Sequence, residues 1–280
     1  MVLIVKTGPI PTHMAFVMDG NRRFALNKKL ALRDGHSAGA ESLTQVLNCC
    51  YRIGVKAVTV YAFSIENFNR PKEEVDTLFD LLKSRLVYIS ASDQFAAQEE
   101  ISIRIIGNRS MIPLDIMADL EKVEQATSGY TKRVLYICFP YTSRDDIFHS
   151  MLKIQDRVEK GEIDISNITP KTIEENNYFG PGCPPVDILV RTSGHTRLSD
   201  FMLWECHQDS VIEFPNTLWP NFRFWSVLWI IFKWSYYKTL QLEDAATMQV
   251  NKIENKKVKE KYRSAVGGIK HPPFASVTKS

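Results

Sequence analysis

The chain is poor in the features that most quickly place a protein in a class. Its five cysteines, Cys49, Cys50, Cys138, Cys183 and Cys206, are odd in number and form no C-x-x-C pair. That offers no zinc-ligand set, argues against a secreted disulfide framework, and leaves buried thiols in a reducing compartment. No stretch approaches the roughly 20 apolar residues that a membrane-spanning helix needs. The most apolar one, Phe222–Trp234, is shorter and carries Arg223 and Lys233. The apolar start, Met1–Lys6, is too short for a signal peptide. Neither G-x-x-x-x-G-K-[ST] nor G-x-G-x-x-G occurs, which disfavours a nucleotide. A net charge of +3 on 280 residues is too small to argue for nucleic acid, though it suits an anionic substrate or membrane surface. There is no internal repeat and no low-complexity block.

What is present is material for a core: 44% apolar and 11% aromatic residues, with charges interleaved along the chain. Strand-like and helix-like segments alternate. Ala15–Met18 is a short apolar run stopped by Asp19-Gly20-Asn21. Ser37–Ile53 has helical spacing, with Gly54 as its C-cap. Val58–Phe63 reads as a buried strand. Pro71 opens a helix whose apolar face is Val75, Leu78, Phe79, Leu82, Leu86 and Ile89. Strands follow at Ile101–Ile106, Val134–Phe139, Val186–Val190 and Val211–Phe214, with helices at Pro113–Ala126, Ser143–Val158 and Phe222–Trp234. Trp225, Trp229 and Trp234 in the last helix are read first as core, with an interfacial helix left open. This order predicts an α/β fold, a single domain with a mostly parallel central sheet flanked by helices. Asn251–Arg263 is rich in lysine and reads as a solvated basic helix ending near Gly267-Gly268, with a flexible end from about His271.

The chemistry is expected where polar clusters follow strands, because open α/β sheets bind ligands at the carboxyl ends of their strands. One cluster is Asp19-Gly20-Asn21-Arg22-Arg23, the second Ser64-Ile65-Glu66-Asn67, the third Arg191-Thr192-Ser193-Gly194. Gly20 lets the backbone approach a ligand, and Arg22 and Arg23 complete an anion site at a helix N-terminus. Asp19 beside them can hold Mg²⁺ together with phosphate oxygens. The blander reading is a tight turn with Asp19 as an N-cap, and the two arginines weigh against it. Arg191 and Arg197, with Ser199 beside them and Arg70 added, form a natural clamp for a substrate with more than one phosphate.

These residues resemble the signatures of the cis-prenyltransferases, the undecaprenyl and dehydrodolichyl diphosphate synthases. The matching segments are His13–Ala25, Gly35-His36-Ser37-Ala38-Gly39, Tyr61–Pro71, Arg191-Thr192-Ser193-Gly194 with Arg197–Phe201, and Leu218-Trp219-Pro220. Arg22 after Asn21 is similar to the eukaryotic catalytic subunit, and the third motif is similar to fungal members. The trans enzymes' D-D-x-x-D is absent, since Ile147-Phe148-His149 follow Asp145-Asp146.

The resemblance implies elongation of farnesyl diphosphate, or a similar allylic diphosphate, by many isopentenyl diphosphate units. The product would be a long polyprenyl diphosphate for dolichol and protein glycosylation. It implies that Asp19 holds Mg²⁺ and assists departure of the allylic diphosphate, and that Asn67 handles the proton lost on condensation. Gly20, Asn21, Arg22, Arg23, His36, Ser64 and Glu66 would bind the allylic diphosphate, and Arg70, Arg191, Arg197 and Ser199 isopentenyl diphosphate. A hydrophobic tunnel would lie between sheet and helices. Residues 1–240 would form the catalytic domain and 241–280 the basic helical, then flexible, tail. There are departures. Leu32 stands where some members have arginine, Val211 where bacterial enzymes have a second metal-binding glutamate, with Glu213 two further on. Arg263-Ser264-Ala265-Val266-Gly267 lacks the spacing of the terminal R-x-G element of single-subunit members. A Nogo-B-receptor-like accessory subunit would supply that element. Peripheral attachment to the cytoplasmic face of the endoplasmic reticulum, or to lipid droplets, follows as an expectation. The alternatives are a non-catalytic accessory subunit of the same fold, which would lack the aspartate and paired arginines, and an unrelated Mg²⁺-dependent phosphohydrolase.

Overall fold

The computed structural model describes residues 7–90 and 95–266. Six parallel strands form one sheet in the order β3-β4-β2-β1-β5-β6. They are β1 His13–Val17, β2 Ala57–Tyr61, β3 Ile101–Ile106, β4 Arg133–Cys138, β5 Ile188–Arg191 and β6 Val211–Glu213. The helices are α1 Asn21–Lys28, α2 Leu32–Ile53, α3 Lys72–Ser90, α4 Phe95–Gln98, α5 Leu114–Thr127, α6 Ser143–Glu159, α7 Pro170–Asn176 and α8 Phe224–Val266. The expected α/β architecture is thus the one observed.

The strands sort their side chains by the two-residue period of an extended chain. On β1, Met14 and Phe16 join one buried cluster, and Ala15 and Val17 the other. The first cluster takes Val46 and Leu47 from α2, Phe79 and Leu86 from α3, Leu120 from α5 and Leu228 and Ile231 from α8. The second is closed by Tyr141, Phe179, Phe201 and Met202, which come from connecting segments.

Several boundaries differ from expectation. Helix α2 starts at Leu32 rather than Ser37. It can pass through Gly35 because a Cβ there would lie 2.6 Å from the Asn21 carbonyl of α1, so the bare glycine lets the two helices meet. Helix α1 starts at Asn21, where a helix N-terminus was expected, although its extent was not given because charged and polar residues outnumber the apolar ones in Asn21–Lys28. Helix α8 does not stop at Trp234 but runs on to Val266, since neither proline nor glycine interrupts Phe224–Val266. The expected basic helix is therefore its continuation. The expected stop at Gly267-Gly268 and the end from His271 lie outside the described residues, as does the side chain of Ile89. Of the three tryptophans, Trp234 is buried, whereas Trp225 and Trp229 are exposed. The chain divides into two compact units, one up to Ser235 and one from Tyr236. No helix among the described residues is long and apolar enough to cross a membrane.

Candidate active site

The strand ladder sets the carboxyl ends of β1, β2 and β5 level, with Val17 in register with both Tyr61 and Arg191. After β1 the backbone turns through Gly20 at φ +115, where a Cβ would press on Leu218 at 3.1 Å. Gly20 is the N-cap of α1, so Asp19 does not cap the helix. Its side chain instead meets Arg191. Nη2 and Nε of Arg191 donate to Asp19 Oδ2 at 2.5 and 3.1 Å. No described residue donates to Oδ1. The Asp19 carbonyl is pinned by Thr192 Oγ1 at 2.8 Å and the Trp219 backbone N–H at 3.0 Å.

The Arg191 side chain is almost fully buried, and a buried guanidinium must be paired. Asp19 pairs it on one side. On the other, Nη1 donates to the Arg197 carbonyl at 2.5 Å and to Ser199 Oγ at 2.6 Å. Arg191 is therefore the hub of the site, and a ligand phosphate would have to displace some of these bonds. Arg197 is exposed, with Nη1 3.5 Å from His195 Nδ1. Arg23 reaches the same loop and donates to the Ser193 carbonyl at 2.9 Å and to its hydroxyl.

Beyond β2, Ser64 and Asn67 form a reciprocal cap. Ser64 Oγ accepts the Glu66 N–H at 3.2 Å, and Asn67 Oδ1 accepts the Ser64 N–H at 3.1 Å. Asn67 thus spends its carbonyl on the turn. Arg70 is tied to Glu74 at 2.9 Å, with Arg22 4.0 Å from the same carboxylate. His36, on α2, is pushed below the usual histidine range by burial. Glu74 opposes that shift, and Arg70 and Arg22 add to it. His36 Nε2 and Asn21 Oδ1 are both buried without a hydrogen-bond partner. Buried polar atoms of this kind call for a ligand or water. Gly39 makes room for Asn21: a Cβ there would lie within 2.2 Å of Oδ1.

All thirteen expected site residues line one open cavity of about 1040 Å³: Asp19, Gly20, Asn21, Arg22, Arg23, His36, Ser64, Glu66, Asn67, Arg70, Arg191, Arg197 and Ser199. A second, smaller cavity of about 110 Å³ lies between the sheet and helices α2 and α3, lined by Leu43, Val60, Leu82, Leu86, Leu135 and Ile137 among others. Met18, Asn21, His36, Ala62 and Leu78 line both, so the polar cleft adjoins an apolar slot.

Among the polar lining residues that were given no role from sequence are Tyr61, Arg144 and Asp200. Arg144 bridges the two halves of the rim, donating to Asp200 Oδ2 at 2.7 Å and to Glu66 Oε1 at 3.1 Å. Tyr61 Oη donates to the Ser199 carbonyl at 3.3 Å. A signal for Arg144 existed. It follows the carboxyl end of β4, the one site-forming strand end to which the strand-end rule was not applied.

Magnesium takes one or two carboxylates and completes its shell with water and phosphate oxygens. Asp19 Oδ1 fits that demand. No group of three or more His, Cys, Asp or Glu among the described residues could enclose a metal without a ligand. Glu213 does not line the cavity and is paired with Lys233 at 2.8 Å.

An arginine-rich cleft at a sheet switch point, opening on a hydrocarbon slot, defines a protein suited to amphiphiles bearing phosphates. The family model described as "Putative undecaprenyl diphosphate synthase" matches residues 17–240, and the chain belongs to this cis-prenyltransferase family. It is 42% identical over 252 residues to a dehydrodolichyl diphosphate synthase complex subunit of Saccharomyces cerevisiae, covering 86% of this chain and 70% of that one. It is 40% identical over 224 residues to the corresponding human subunit, covering 80% and 67%. Among solved structures, lavandulyl diphosphate synthase of Lavandula x intermedia with dimethylallyl diphosphate superposes with a TM-score of 0.76 at 26% identity, covering 81% of this chain and 95% of that one.

Proposed function

We propose that the protein elongates farnesyl diphosphate, or a similar allylic diphosphate, with successive isopentenyl diphosphates in the cis configuration. The product is the long polyprenyl diphosphate that serves dolichol synthesis and protein glycosylation. The observation that carries this reading is the junction of the two cavities: a cleft lined by six arginines, Arg22, Arg23, Arg70, Arg144, Arg191 and Arg197, shares five residues with an apolar slot.

In each round the allylic C1–O bond breaks, the isopentenyl double bond adds to C1, and a proton leaves the new unit. Gly20, Asn21, Arg22, Arg23, His36, Ser64 and Glu66 take the allylic diphosphate, with the unpartnered Asn21 Oδ1 and His36 Nε2 kept for ligand or water. Arg70, Arg191, Arg197 and Ser199 take isopentenyl diphosphate. Asn67 assists the departing proton indirectly: its carbonyl is spent on the turn, so its NH2 donates to and orients a diphosphate oxygen, which takes the proton. Asp19 holds Mg²⁺, which supplies charge neutralisation for the leaving diphosphate. The growing chain enters the slot between the sheet and α2 and α3.

Residues 1–240 form the catalytic domain, and 241–280 a basic tail. The yeast and human relatives are named as complex subunits, and this chain works with a Nogo-B-receptor-like accessory subunit. Its attachment is to the cytoplasmic face of the endoplasmic reticulum, or to lipid droplets, with no spanning helix among the described residues. Exposed Lys252, Lys256 and Lys257 suit such an anionic surface.

The test is incorporation of labelled isopentenyl diphosphate into a chloroform-soluble lipid, with farnesyl diphosphate and Mg²⁺, in the presence and absence of the accessory subunit. No lipid product under either condition refutes the reading.

A further inference from the structure

Three segments meet at the rim of the cleft. They are the turn after β2 that carries Glu66, the loop after β5 that carries Arg197, Ser199 and Asp200, and the first turn of α6, which follows β4. In the sheet β1 separates β2 from β5. The segments read as taking the two diphosphates thus leave strands that are not bonded to each other.

Arg144, in the first turn of α6, spans that gap. Its backbone N–H donates to Asp200 Oδ1 at 3.1 Å and its Nε to Asp200 Oδ2 at 2.7 Å. Nη2 of the same guanidinium donates to Glu66 Oε1 at 3.1 Å. The planar guanidinium makes this possible, since its nitrogens present donors in fixed and different directions. Among the described side chains, no other bonds to both carboxylates. The Asp200 end is anchored, with the aspartate side chain 13% exposed. At the other end, Glu66 Oε2 accepts from Asn69 Nδ2 at 3.4 Å within its own turn.

The loop after β5 needs outside support. Ser199, Asp200 and Met202 have φ of +52, +59 and +48, conformations that persist only when the surroundings hold them. The Ser143 N–H donates to the Asp200 carbonyl and the Leu203 N–H to Ser143 Oγ, each at 2.8 Å, so the loop is fastened to α6. Arg144 carries the connection onward to the Glu66 turn. Stability does not account for this bridge, because ion pairs as exposed as Arg144, at 73%, contribute little. What it supplies is a set distance between turn and loop. The condensation needs that distance, since the attacking double bond must be held against the allylic C1.

We propose that Arg144 is a positioning residue that sets the spacing of the two diphosphate subsites by tying Glu66 to Asp200. This rests on the reading that the two segments take two diphosphates. It has a consequence that direct contact with substrate lacks: Glu66, on the allylic side, influences isopentenyl diphosphate through Arg144.

The experiment compares the full-length wild type with Arg144→Ala, Arg144→Lys, Glu66→Ala and the double alanine variant, under the conditions that give the wild type its lipid product. The alanine at 144 keeps the backbone N–H for Asp200. KM for isopentenyl diphosphate is measured at saturating farnesyl diphosphate, together with kcat and the substrate-free melting temperature. Arg144→Ala and Glu66→Ala should each raise this KM about five-fold, and the double variant no further than Arg144→Ala alone. Arg144→Lys should stay near the alanine value, because one ammonium cannot hold both carboxylates in a fixed geometry. Melting temperatures should all lie within about 2 °C of the wild type. Effects that multiply in the double variant, or a Glu66→Ala variant with unchanged KM for isopentenyl diphosphate, overturn the bridge. Full rescue by lysine shows that charge alone matters and overturns it too. A clear fall in the melting temperature of Arg144→Ala makes the residue structural and overturns the positioning role. A wild type that forms no lipid refutes the elongation reading and this inference with it, whereas an active wild type with any of the other adverse results sinks the role of Arg144 alone.

Discussion

The two faces of the sheet are built from the same strands and yet differ in kind. The face toward α2, α3, α5 and α8 buries aliphatic and aromatic groups, and its buried titratable groups among the described residues are Cys49, Cys50 and Tyr51. The opposite face carries His13, Thr59, Tyr136, Cys138, Tyr141 and Asp146 in its buried layer. The strand period alone produces this division, since odd and even positions of β1 and β2 point to opposite sides. The first face must accept hydrocarbon beside it, so polar groups there would be left unpaired by the ligand. The second holds the loop that shapes the cleft, and hydrogen bonds specify a loop's geometry better than packing does.

If that contrast is right, perturbations at the rim, the first face and the second face should differ in what they change. The largest effect belongs to the rim between them. Asp19→Ala should lower kcat by roughly 100- to 1,000-fold, the loss expected for one group that stabilises a developing charge. The folded state should lose stability as well, since the buried Arg191 keeps only its bonds to Arg197 and Ser199, so kcat is read at a temperature where the variant is folded. Titrating Mg²⁺ sharpens this. The wild type should show saturable dependence and the variant should not recover at high metal. A variant with wild-type kcat would remove Asp19 from the chemistry.

Next comes the apolar face. Phe79 packs edge-to-face on Phe63 and Phe139 with ring centroids 5.1 and 4.8 Å apart. Phe79→Ala should cost about 3–5 kcal/mol of unfolding free energy. That cost should be the same at pH 6 and pH 9, because no carboxyl or imidazole is involved. A pH-dependent loss would break the division between the faces. Within the slot, Leu43→Trp should fill much of the 110 Å³ and shorten the product, leaving the first condensation nearly unchanged. Thin-layer separation of the lipid products reads this directly.

The polar face should instead respond to pH. His13 donates and accepts between Thr59 Oγ1 at 2.7 Å and the Pro184 carbonyl at 2.8 Å, and burial lowers it to about 4. Its neutral form is the folded one. As pH falls from 6.5 toward 4, the unfolded chain takes up a proton that the folded chain refuses, so stability is lost over that window. The full loss is about 3 kcal/mol. Urea unfolding at several pH values should show a smaller slope for His13→Asn than for the wild type. Equal slopes would mean that the acid sensitivity lies elsewhere.

Much of this arrangement was legible in the sequence, and the reason is local. Asp19, Ser64 and Arg191 follow apolar β-branched runs, so the strand-end rule located them without knowledge of strand order. The same rule would have found Arg144 beyond β4. Glu205, half-buried with Oε1 held by Asn177 Nδ2, was not legible. Trp204 and Cys206 flank it, but no periodicity tells a half-buried carboxyl from an exposed one. Its placement follows from how the chain folds after Met202, which only tertiary structure sets. The length of α8 was missed for a different reason. The absence of a helix breaker is a weaker signal than the presence of an apolar stripe, and the stripe ended at Trp234.

The smallest predicted effect tests how the polar face reaches the rim. Thr142 is the N-cap of α6, its side chain accepting from the Asp145 N–H at 3.4 Å. Thr142→Ala should cost about 1 kcal/mol of stability, an ordinary value for a lost cap. The next four residues, Ser143 to Asp146, hold Asp200, Leu203 and Tyr178, so fraying here should also disturb the clamp. KM for isopentenyl diphosphate should rise about two-fold while product length stays constant, because the slot lies on the other side of the sheet. A shift in product length with an unchanged KM would show that α6 communicates with the apolar face, and the two faces could no longer be treated as independent.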